Sequence, residues 1–233
     1  MILAAGLGTR MRPLSALRPK PVLPVRGIPL LAWPLAWLAR QGVREVIVNL
    51  HHLPDATRAA AERWVPPGLA VHFSEEPTLL GTGGGIRRAA SFLRESDPSL
   101  VLAGDALFDF ALAPLAARHR ARRDAVTLIL REDARAERLD ARACTWVPVG
   151  TPAEYLSANL APTAVGYLDA DAVARGLGVR LEPDLVIGAG AQLGAGVRLQ
   201  RAVVWDGERV PAGLHASGGV FAGGAFHRIE EAP

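Results

Sequence analysis

The first residues of the chain restrict its fold more than any other stretch. A short apolar run, residues 2–5, has the composition of a buried strand and leads at once into a loop that contains Gly6 and Gly8. Glycine lets a backbone turn sharply so that its N–H groups converge, which is how main chains bind anions. Residues 1–21 therefore predict an α/β protein whose first strand ends at an anion site.

The segment that follows the strand, residues 6–21, is here called the N-terminal loop. It supplies a hydroxyl and three cations, which belong to Thr9, Arg10, Arg12 and Lys20. Lys20 is the only lysine among the 26 lysine and arginine residues of the chain. Because lysine carries a compact ammonium on a flexible stem, whereas arginine carries a broad planar fork, this choice indicates a specific role for Lys20. Pro19 and Pro21 on either side keep the segment out of a helix.

Two common nucleotide-binding motifs do not fit this loop. The dinucleotide fingerprint G-x-G-x-x-G requires a glycine at position 11, where the chain has Met11. The P-loop requires a lysine directly after its second glycine, whereas Lys20 lies far beyond Gly8. The anion site must therefore be of another kind.

Composition limits the class of protein. With 233 residues, of which 50% are hydrophobic and 21% charged, the chain is globular and long enough for a sizeable core. The net charge is +3, but the basic residues are scattered, so we expect no nucleic-acid partner. Cys144 is the only cysteine, which excludes an internal disulfide and leads us to expect a cytoplasmic protein.

Hydropathy leads to the same expectation. The longest apolar stretch, residues 28–39, is too short to cross a bilayer and contains two prolines, so we expect no membrane association. The first residues also lack the charged lead and long apolar core of a signal peptide.

The spacing of apolar residues predicts a regular alternation of helices and strands. A helix is predicted over residues 29–40 and a core strand over residues 43–50, which with the first strand form a βαβ unit. Further helices are predicted over residues 55–64, 86–94 and 112–123, and further strands over residues 70–74, 99–105 and 125–130.

Two residue pairs within this pattern invite functional readings. Trp33 and Trp37 lie one helical turn apart, and a buried helix face is a better interpretation than a stacking platform. His51 and His52 follow a strand directly. Adjacent side chains point in different directions, so we interpret them as structural rather than as metal ligands.

A second glycine-rich segment and a third motif follow. Residues 75–85 read EEPTLLGTGGG, and three successive glycines suggest that a flat group such as a nucleobase approaches the backbone closely. Residues 99–105 read SLVLAGD, a buried strand that ends in Asp105. At the carboxyl end of a parallel strand, an aspartate faces the crevice where such sheets bind ligands. Asp109 is expected to cap the next helix.

Together these motifs resemble the signature of the sugar-1-phosphate nucleotidyltransferases, the pyrophosphorylases that make nucleotide sugars. The match runs through L-A-A-G-x-G-T-R-x-R-P-L and then P-K-P in the N-terminal loop, E-P-x-x-L-G-T-G-G, and G-D. The resemblance implies a Rossmann-like, mainly parallel sheet with helices on both faces.

The resemblance also implies roles for individual residues. Arg10 would stabilise the pyrophosphate leaving group, and Lys20 would contact the phosphates in the transition state, so both are candidate catalytic residues. Asp105 would bind Mg²⁺. The base loop, residues 76–82, would hold the nucleobase. The implied nucleotide-binding residues are Leu3, Ala4, Ala5, Gly6, Gly8, Thr9, Glu76, Pro77, Gly81 and Thr82.

The chain departs from the family pattern in its middle. Residues 146–156 read WVPVGTPAEYL and resemble the family's W-x-D-I-G-T-P-x-x-Y motif, but Pro148 stands where a second metal-binding aspartate is expected. Residues 131–145, which precede this motif, are too few for a βαβ unit of about 30 residues. We therefore expect an incomplete sugar-binding section.

The C-terminal part shows a six-residue period. Ile187, Leu193, Leu199 and Trp205 form one series, and Ala191, Val197 and Val203 lie four places behind its first three members. This hexapeptide pattern predicts a short left-handed β-helix whose aliphatic side chains point inward. In the family such a coil is a structural appendage that supports homo-oligomers or regulation.

The sequence therefore predicts two domains: residues 1–160, a nucleotidyltransferase-like nucleotide-binding domain, and residues 161–233, a linker with the β-helix. The implied reaction joins an NTP to a sugar 1-phosphate and releases pyrophosphate, with GTP and mannose 1-phosphate favoured. One alternative is a nucleotide-binding pseudoenzyme or regulatory subunit. Another is acyl transfer on the coil through His215.

Overall fold

The computed structural model describes residues 1–127, 145–161 and 165–229. The helices are α1 Leu14–Leu17, α2 Ala32–Arg40, α3 Pro54–Trp64, α4 Gly81–Arg88, α5 Ala90–Leu93, α6 Leu112–Arg122, α7 Pro152–Leu160 and α8 Ala170–Gly176. The first strands are β1 Ile2–Leu3, β2 Pro24–Val25, β3 Ile28–Pro29, β4 Glu45–Leu50, β5 Ala70–Glu75, β6 Leu102–Ala103, β7 Ala106–Asp109 and β8 Thr145–Pro148. The remaining strands are β9 Arg180–Glu182, β10 Leu185–Ile187, β11 Gln192–Leu193, β12 Arg198–Val204, β13 Arg209–Val210, β14 His215–Ala222 and β15 Ala225–Arg228. Of the strand predicted over residues 125–130, residues 125–127 are not in a strand and residues 128–130 lie outside the described residues, as does Cys144.

The central sheet is parallel and has the order β5-β4-β1-β6. Side chains alternate between its faces, as strand geometry requires. Val46 and Val48 pack in one apolar cluster with Leu35 of α2, whereas Ile47 packs in another with Ile86 of α4. Helices therefore cover both faces, which confirms the predicted α/β architecture.

Helices α2, α3 and α6 begin and end close to the bounds predicted for them from the sequence. Trp33 and Trp37 are fully buried, as expected of a core-facing pair. The helix predicted over residues 86–94 was wrong in its bounds, because α4 starts at Gly81 and a break at Ala89 separates it from α5. The glycine run is therefore helical rather than an open loop.

One glycine in that run is explained by packing within the protein. A Cβ atom on Gly85 would lie 2.7 Å from Glu76 Oε1 and 2.9 Å from Asn49 Nδ2, too close for any side chain. The absence of a side chain at Gly85 thus lets α4 approach two buried polar groups. At Gly85 the groups that approach the backbone belong to the chain itself, and the approach of a nucleobase to the glycine run stays a prediction.

The C-terminal region is a repeating coil. Strands β10, β12 and β14 pair in parallel, so that Leu185 lies beside Ala202 and Ala202 beside Gly219, and β11 pairs in parallel with β13. Strands β9 and β15 close the two edges in antiparallel orientation, so the strands of this region are mixed. That these strands form a left-handed β-helix stays a prediction.

The inward direction expected for Val203 is wrong. Ala202 and Val204 lie in the cluster inside the coil, whereas Val203 and Trp205 lie in a cluster with Tyr155 of α7. Alternate residues of a strand point to opposite sides, so Val203 and Trp205 face away from the coil interior. The coil thus has a second apolar face, directed at the rest of the protein.

That second face joins the two predicted domains. One buried cluster contains Leu14 and Trp33 from the N-terminal part together with Val186 and Val220 from the coil. Helix α7 lies between them and contacts β10, β12 and β14. The domain boundary at residue 160 stays a prediction, and the core is continuous across it. None of the described helices is long and apolar enough to cross a membrane.

Candidate functional site

The N-terminal loop folds back on itself at the carboxyl end of β1. Gly8 has a φ of 63°, a left-handed conformation that favours glycine. The Ser15 hydroxyl donates to the Gly8 carbonyl over 2.8 Å, and a Cβ atom on Gly8 would lie 3.3 Å from Lys20 Cβ. The fold of the loop thus places its only lysine beside its glycines.

Lys20 pairs with Asp105, which lies two residues after the end of the neighbouring strand β6. Its Nζ donates to Asp105 Oδ2 over 3.0 Å. The Lys20 side chain is 11% exposed, whereas that of Asp105 is 41% exposed. Since β1 and β6 are adjacent parallel strands, their carboxyl ends bring two residues from distant parts of the chain together. The ammonium of Lys20 is thus fixed in place, whereas the carboxylate of Asp105 remains accessible to solvent or to a ligand.

These groups line a cavity of about 430 Å³, within the usual size range of small-molecule pockets. The predicted residues that line it are Leu3, Ala4, Ala5, Gly6, Gly8, Thr9, Arg10, Lys20, Glu76, Gly81, Thr82 and Asp105. Pro77 is not among the lining residues. Residues that line it without having been predicted are Pro21, Asn49, Leu79, Ala103, Gly104 and Gly150. The sheet edge therefore gathers the N-terminal loop, the base loop and Asp105 around one space.

Asn49 is the main residue that sequence reasoning missed. Its Oδ1 accepts from the backbone N–H of Ala4 over 2.7 Å, and its Nδ2 donates to Glu76 Oε1 over 2.8 Å. The other Glu76 oxygen accepts from the Leu80 N–H over 3.0 Å. Asn49 and Glu76 are each 3% exposed, so this network fixes the base loop against β1. A polar residue near the end of an otherwise apolar strand was the available signal.

Arg10 and Gly150 also line the cavity. A Cβ atom on Gly150 would lie 3.8 Å from Arg10 Nη2 and 3.0 Å from Glu154 Oε2. The Glu154 carboxylate accepts from the N–H groups of Gly150 and Thr151 and so completes the N-terminal cap of α7. The guanidinium of Arg10 is thus next to the G-T-P turn.

The single carboxylate of Asp105 suits a metal ion that a bound ligand would also coordinate. Among the described residues, no three His, Cys, Asp or Glu side chains group as a metal site. Pro148 lies opposite Ala106, the neighbour of Asp105, and the N–H of Val149 donates to the Asp105 carbonyl over 3.0 Å. The position expected for a second carboxylate is therefore next to Asp105, and it holds a proline. One carboxylate with ligand phosphates is a usual set for Mg²⁺, so the residues fit that ion.

Two other sequence interpretations have structural outcomes. His51 Nδ1 lies 2.8 Å from the Glu76 carbonyl, a contact that suits the structural role expected of it. The capping role expected of Asp109 is wrong, because the N-cap of α6 is Ala111 and has no side-chain bond. Asp109 Oδ2 instead accepts from the Gly166 N–H over 2.6 Å. It thereby ties the end of β7 to the segment before α8.

A larger concave surface lies on the coil. This groove has a volume of about 750 Å³, and the aliphatic part of its lining includes Leu185, Leu193 and Leu199. Its polar lining residues are Arg180, Glu182, Arg198, Gln200, His215 and Ser217. His215, the candidate for acyl transfer, is exposed at the start of β14.

Comparisons with known proteins agree with the motifs. The mannose-1-phosphate guanylyltransferase of Mycobacterium tuberculosis is 29% identical over an alignment of 292 residues that covers 91% of this chain and 81% of that enzyme. The alignment is longer than the 233 residues of the chain, so the chain lacks residues that this relative has. The N-acetylmuramate alpha-1-phosphate uridylyltransferase of Neisseria meningitidis serogroup B is 42% identical over 110 residues, 47% of each protein. Both relatives are named as transferases.

A solved structure, that of HddC from Yersinia pseudotuberculosis, is 31% identical, with a TM-score of 0.46 over 51% of this chain and 52% of that one. The chain thus spans about half the length of HddC and of the N. meningitidis relative. The family model described as nucleotidyl transferase matches residues 1–139, which include the N-terminal loop, the base loop and Asp105. Since this match covers more than half of the sequence, the chain belongs to the nucleotidyl transferase family.

Proposed function

We propose that the protein transfers a nucleotidyl group from an NTP to a sugar 1-phosphate, giving an NDP-sugar and pyrophosphate. The observation that carries the proposal is the Lys20–Asp105 pair at 3.0 Å inside a cavity lined by both glycine-rich segments. GTP and mannose 1-phosphate are the favoured substrates, because a mannose-1-phosphate guanylyltransferase matches most of the chain.

The nucleotide would lie along the carboxyl edge of the parallel sheet. The backbone of Gly6, Gly8 and Thr9 would surround the phosphates, and the base would lie against Gly81 and Thr82. Glu76 acts indirectly, because its two oxygens hold Asn49 and the Leu80 N–H. The network of buried hydrogen bonds sets the base loop before the nucleotide arrives, which reduces the entropic cost of binding.

The reaction is an in-line displacement. An oxygen of the sugar phosphate attacks the α-phosphorus, and the bond from that phosphorus to the bridging oxygen of the β-phosphate breaks. Lys20 and Arg10, which both line the cavity, would offset the growing negative charge, the largest contribution a protein makes to such a step. Lys20 is preorganised by its bond to Asp105. Arg10 is the more exposed of the two and would reach the departing pyrophosphate.

Asp105 would hold Mg²⁺ together with the phosphates of the nucleotide. When bound, the ion neutralises phosphate charge and polarises the phosphoryl oxygens. Because Pro148 contributes no ligand, the chain itself offers one carboxylate at this point. We expect weaker Mg²⁺ binding than a pair of carboxylates would give.

Pro148 also supports a second candidate, a nucleotide-binding protein without turnover. Two measurements separate it from the enzyme. Pyrophosphate release is assayed with ATP, GTP, CTP, UTP and dTTP, against a panel of sugar 1-phosphates. Calorimetry measures nucleotide binding in the same buffer. Turnover supports the enzyme, binding without turnover supports the second candidate, and the absence of binding contradicts both.

Two further features remain proposals. The coil is left-handed, in keeping with its hexapeptide period, and it joins copies of the chain into a homo-oligomer. Small-angle scattering together with sedimentation measures the second of these directly.

A further inference from the structure

The coil contacts the N-terminal loop two residues before Lys20. Arg18 forms a two-pronged ion pair with Asp206, with distances of 2.6 Å from Nη1 to Oδ1 and 3.2 Å from Nη2 to Oδ2. The same guanidinium lies over the ring of Trp205, 4.6 Å from the ring centroid. Arg18 and Pro19 lead directly to Lys20, with Pro19 in an extended conformation. The coil therefore holds the chain immediately upstream of the candidate catalytic lysine.

The same tryptophan reaches the chain downstream of Lys20. Trp205 Nε1 donates to the Tyr155 hydroxyl over 2.9 Å, and that hydroxyl donates to the Pro24 carbonyl over 2.7 Å. Tyr155 is fully buried and Trp205 is 2% exposed, so neither bond competes with bulk water. Burial raises the pKa of the Tyr155 hydroxyl, which keeps its proton available for Pro24.

A third contact lies beside these two. A Cβ atom on Gly223 of the coil would lie 3.1 Å from Leu17 Cδ2, so the coil backbone packs closely against the end of α1. Glu208 holds that turn by accepting from the N–H groups of Gly223 and Gly224. Coil residues thus contact the N-terminal loop at Leu17 and Arg18 and, through Tyr155, reach Pro24 of β2 beyond the loop.

We propose that Trp205 and Asp206 of the coil are positioning residues, which set the place of Lys20 by holding both flanks of its segment. The expected effect on turnover rests on the proposed function. The expected effect on the position of Lys20 is independent of that function. The coil would then be part of the active-site architecture. In-line phosphoryl chemistry depends on accurate placement of charge, so a small displacement of Lys20 is costly.

The fold offers a matched control. Arg58 of α3 pairs with Glu75 and lies over the ring of Phe73, 4.3 Å from the centroid. This cluster therefore combines an ion pair and a cation–π contact, as the Arg18 cluster does. The side chains of Arg58 and Glu75 are 32% and 61% exposed, and those of Arg18 and Asp206 are 29% and 53% exposed. The hairpin after Lys20 is separately anchored by Arg26, which bonds to Asp171 and Asn159. We expect the Asp206 variants to fold for this reason.

The first measurement uses the fact that Lys20 is the only lysine of the chain. Acetylation of its amine by N-hydroxysuccinimidyl acetate is followed by peptide mass spectrometry on the full chain without nucleotide. We expect Asp206→Asn and Arg18→Ala to raise the labelling rate of Lys20 about threefold or more, because local opening exposes the amine. Arg58→Ala should leave the rate unchanged, and Asp206→Glu should restore most of the protection.

The second measurement is kinetic. Asp206→Asn should lower kcat about tenfold while the calorimetric Kd for nucleotide changes less than about twofold, since the lost placement matters most in the transition state. The double variant Arg18→Ala/Asp206→Asn should be no worse than Arg18→Ala alone.

The outcomes separate the two proposals. Unchanged labelling and unchanged kcat, with a lower melting temperature alone, would make the contact merely structural and overturn the inference. If the wild type binds nucleotide without turnover, the proposed function fails, and the labelling experiment still decides the inference. If the wild type turns over and the labelling of Lys20 is insensitive to Asp206, the inference fails alone.

Discussion

The pocket at the sheet edge and the groove on the coil differ in a way that volume does not predict. The groove is the larger, at about 750 Å³ against about 430 Å³. The pocket nevertheless holds the lysine, the aspartate and both glycine-rich segments. In the groove, isolated polar side chains surround aliphatic ones. The comparison teaches that the convergence of charged and backbone groups, rather than space, identifies the candidate active site.

The reason lies in the two kinds of parallel strand. In the central sheet, the carboxyl ends of β1 and β6 lead into loops that meet at one edge, so residues distant in sequence converge. In the coil, each strand leads to a short corner and then to the next strand, so neighbouring groups come from successive repeats. Four substitutions test this contrast.

The largest effect is expected from Lys20→Ala. Removing the ammonium that we propose contacts the phosphates should lower kcat about 10³-fold, the cost typical of losing one electrostatic contact in a transition state. Initial rates of pyrophosphate release measure it. Arg63→Ala, which removes an exposed cation from α3, is the control and should keep full activity. Retention of more than a tenth of the wild-type kcat in Lys20→Ala would contradict the role given to Lys20.

A smaller effect is expected from Asn49→Ala. The substitution leaves the Ala4 N–H and Oε1 of the buried Glu76 carboxylate each without a partner, which should lower the free energy of unfolding by about 2 kcal/mol. Urea denaturation measures this, and calorimetry should show weaker nucleotide binding.

The control for Asn49 is Gln41→Ala. Gln41 Oε1 accepts from the Leu112 N–H over 3.1 Å, so this variant also removes an amide that satisfies a backbone group, away from the pocket. It should reduce stability without affecting nucleotide affinity. Equal loss of affinity in both variants would mean that Asn49 has no particular link to the pocket.

Pro148→Asp tests whether the pocket lacks a second metal-binding carboxylate at this position. A second carboxylate next to Asp105 should lower the Mg²⁺ concentration required for half-maximal activity about tenfold, because affinity rises with ligand charge. Pro148→Asn is the matched variant, since it removes the ring and adds no charge. If the two variants respond alike to Mg²⁺, the effect comes from the backbone and the metal proposal at this position fails.

The smallest effect is expected from His215→Ala in the coil groove. His215 is exposed, and the substitution of an exposed residue away from the pocket should change the equilibrium constant of unfolding and kcat each by less than about twofold. Activity and thermal melting are measured beside the wild type. A large loss of activity would show that the groove contributes to function. It would contradict the conclusion that the pocket at the sheet edge, and not the groove, is the active-site candidate.

Much of the site was predictable because its chemistry is local in sequence. The N-terminal loop, the base loop and Asp105 each follow a recognisable strand, and parallel strands bring their carboxyl ends together. The reason for Gly85 was different from the expected one, because the residues it accommodates, Asn49 and Glu76, lie on other elements.

The family, the parallel sheet, the lone lysine near the glycines and the six-residue period of the coil could all be predicted from the residues alone. Three contacts between distant residues could not: the pairing of Lys20 with Asp105, the link that Asn49 makes between the base loop and the end of β1, and the direction of Trp205, outward towards Arg18. A six-residue period shows that a coil repeats, but alternate residues of a strand point to opposite sides. Which side of the coil packs against the rest of the protein depends on contacts between residues far apart in the chain, and no local pattern records those contacts.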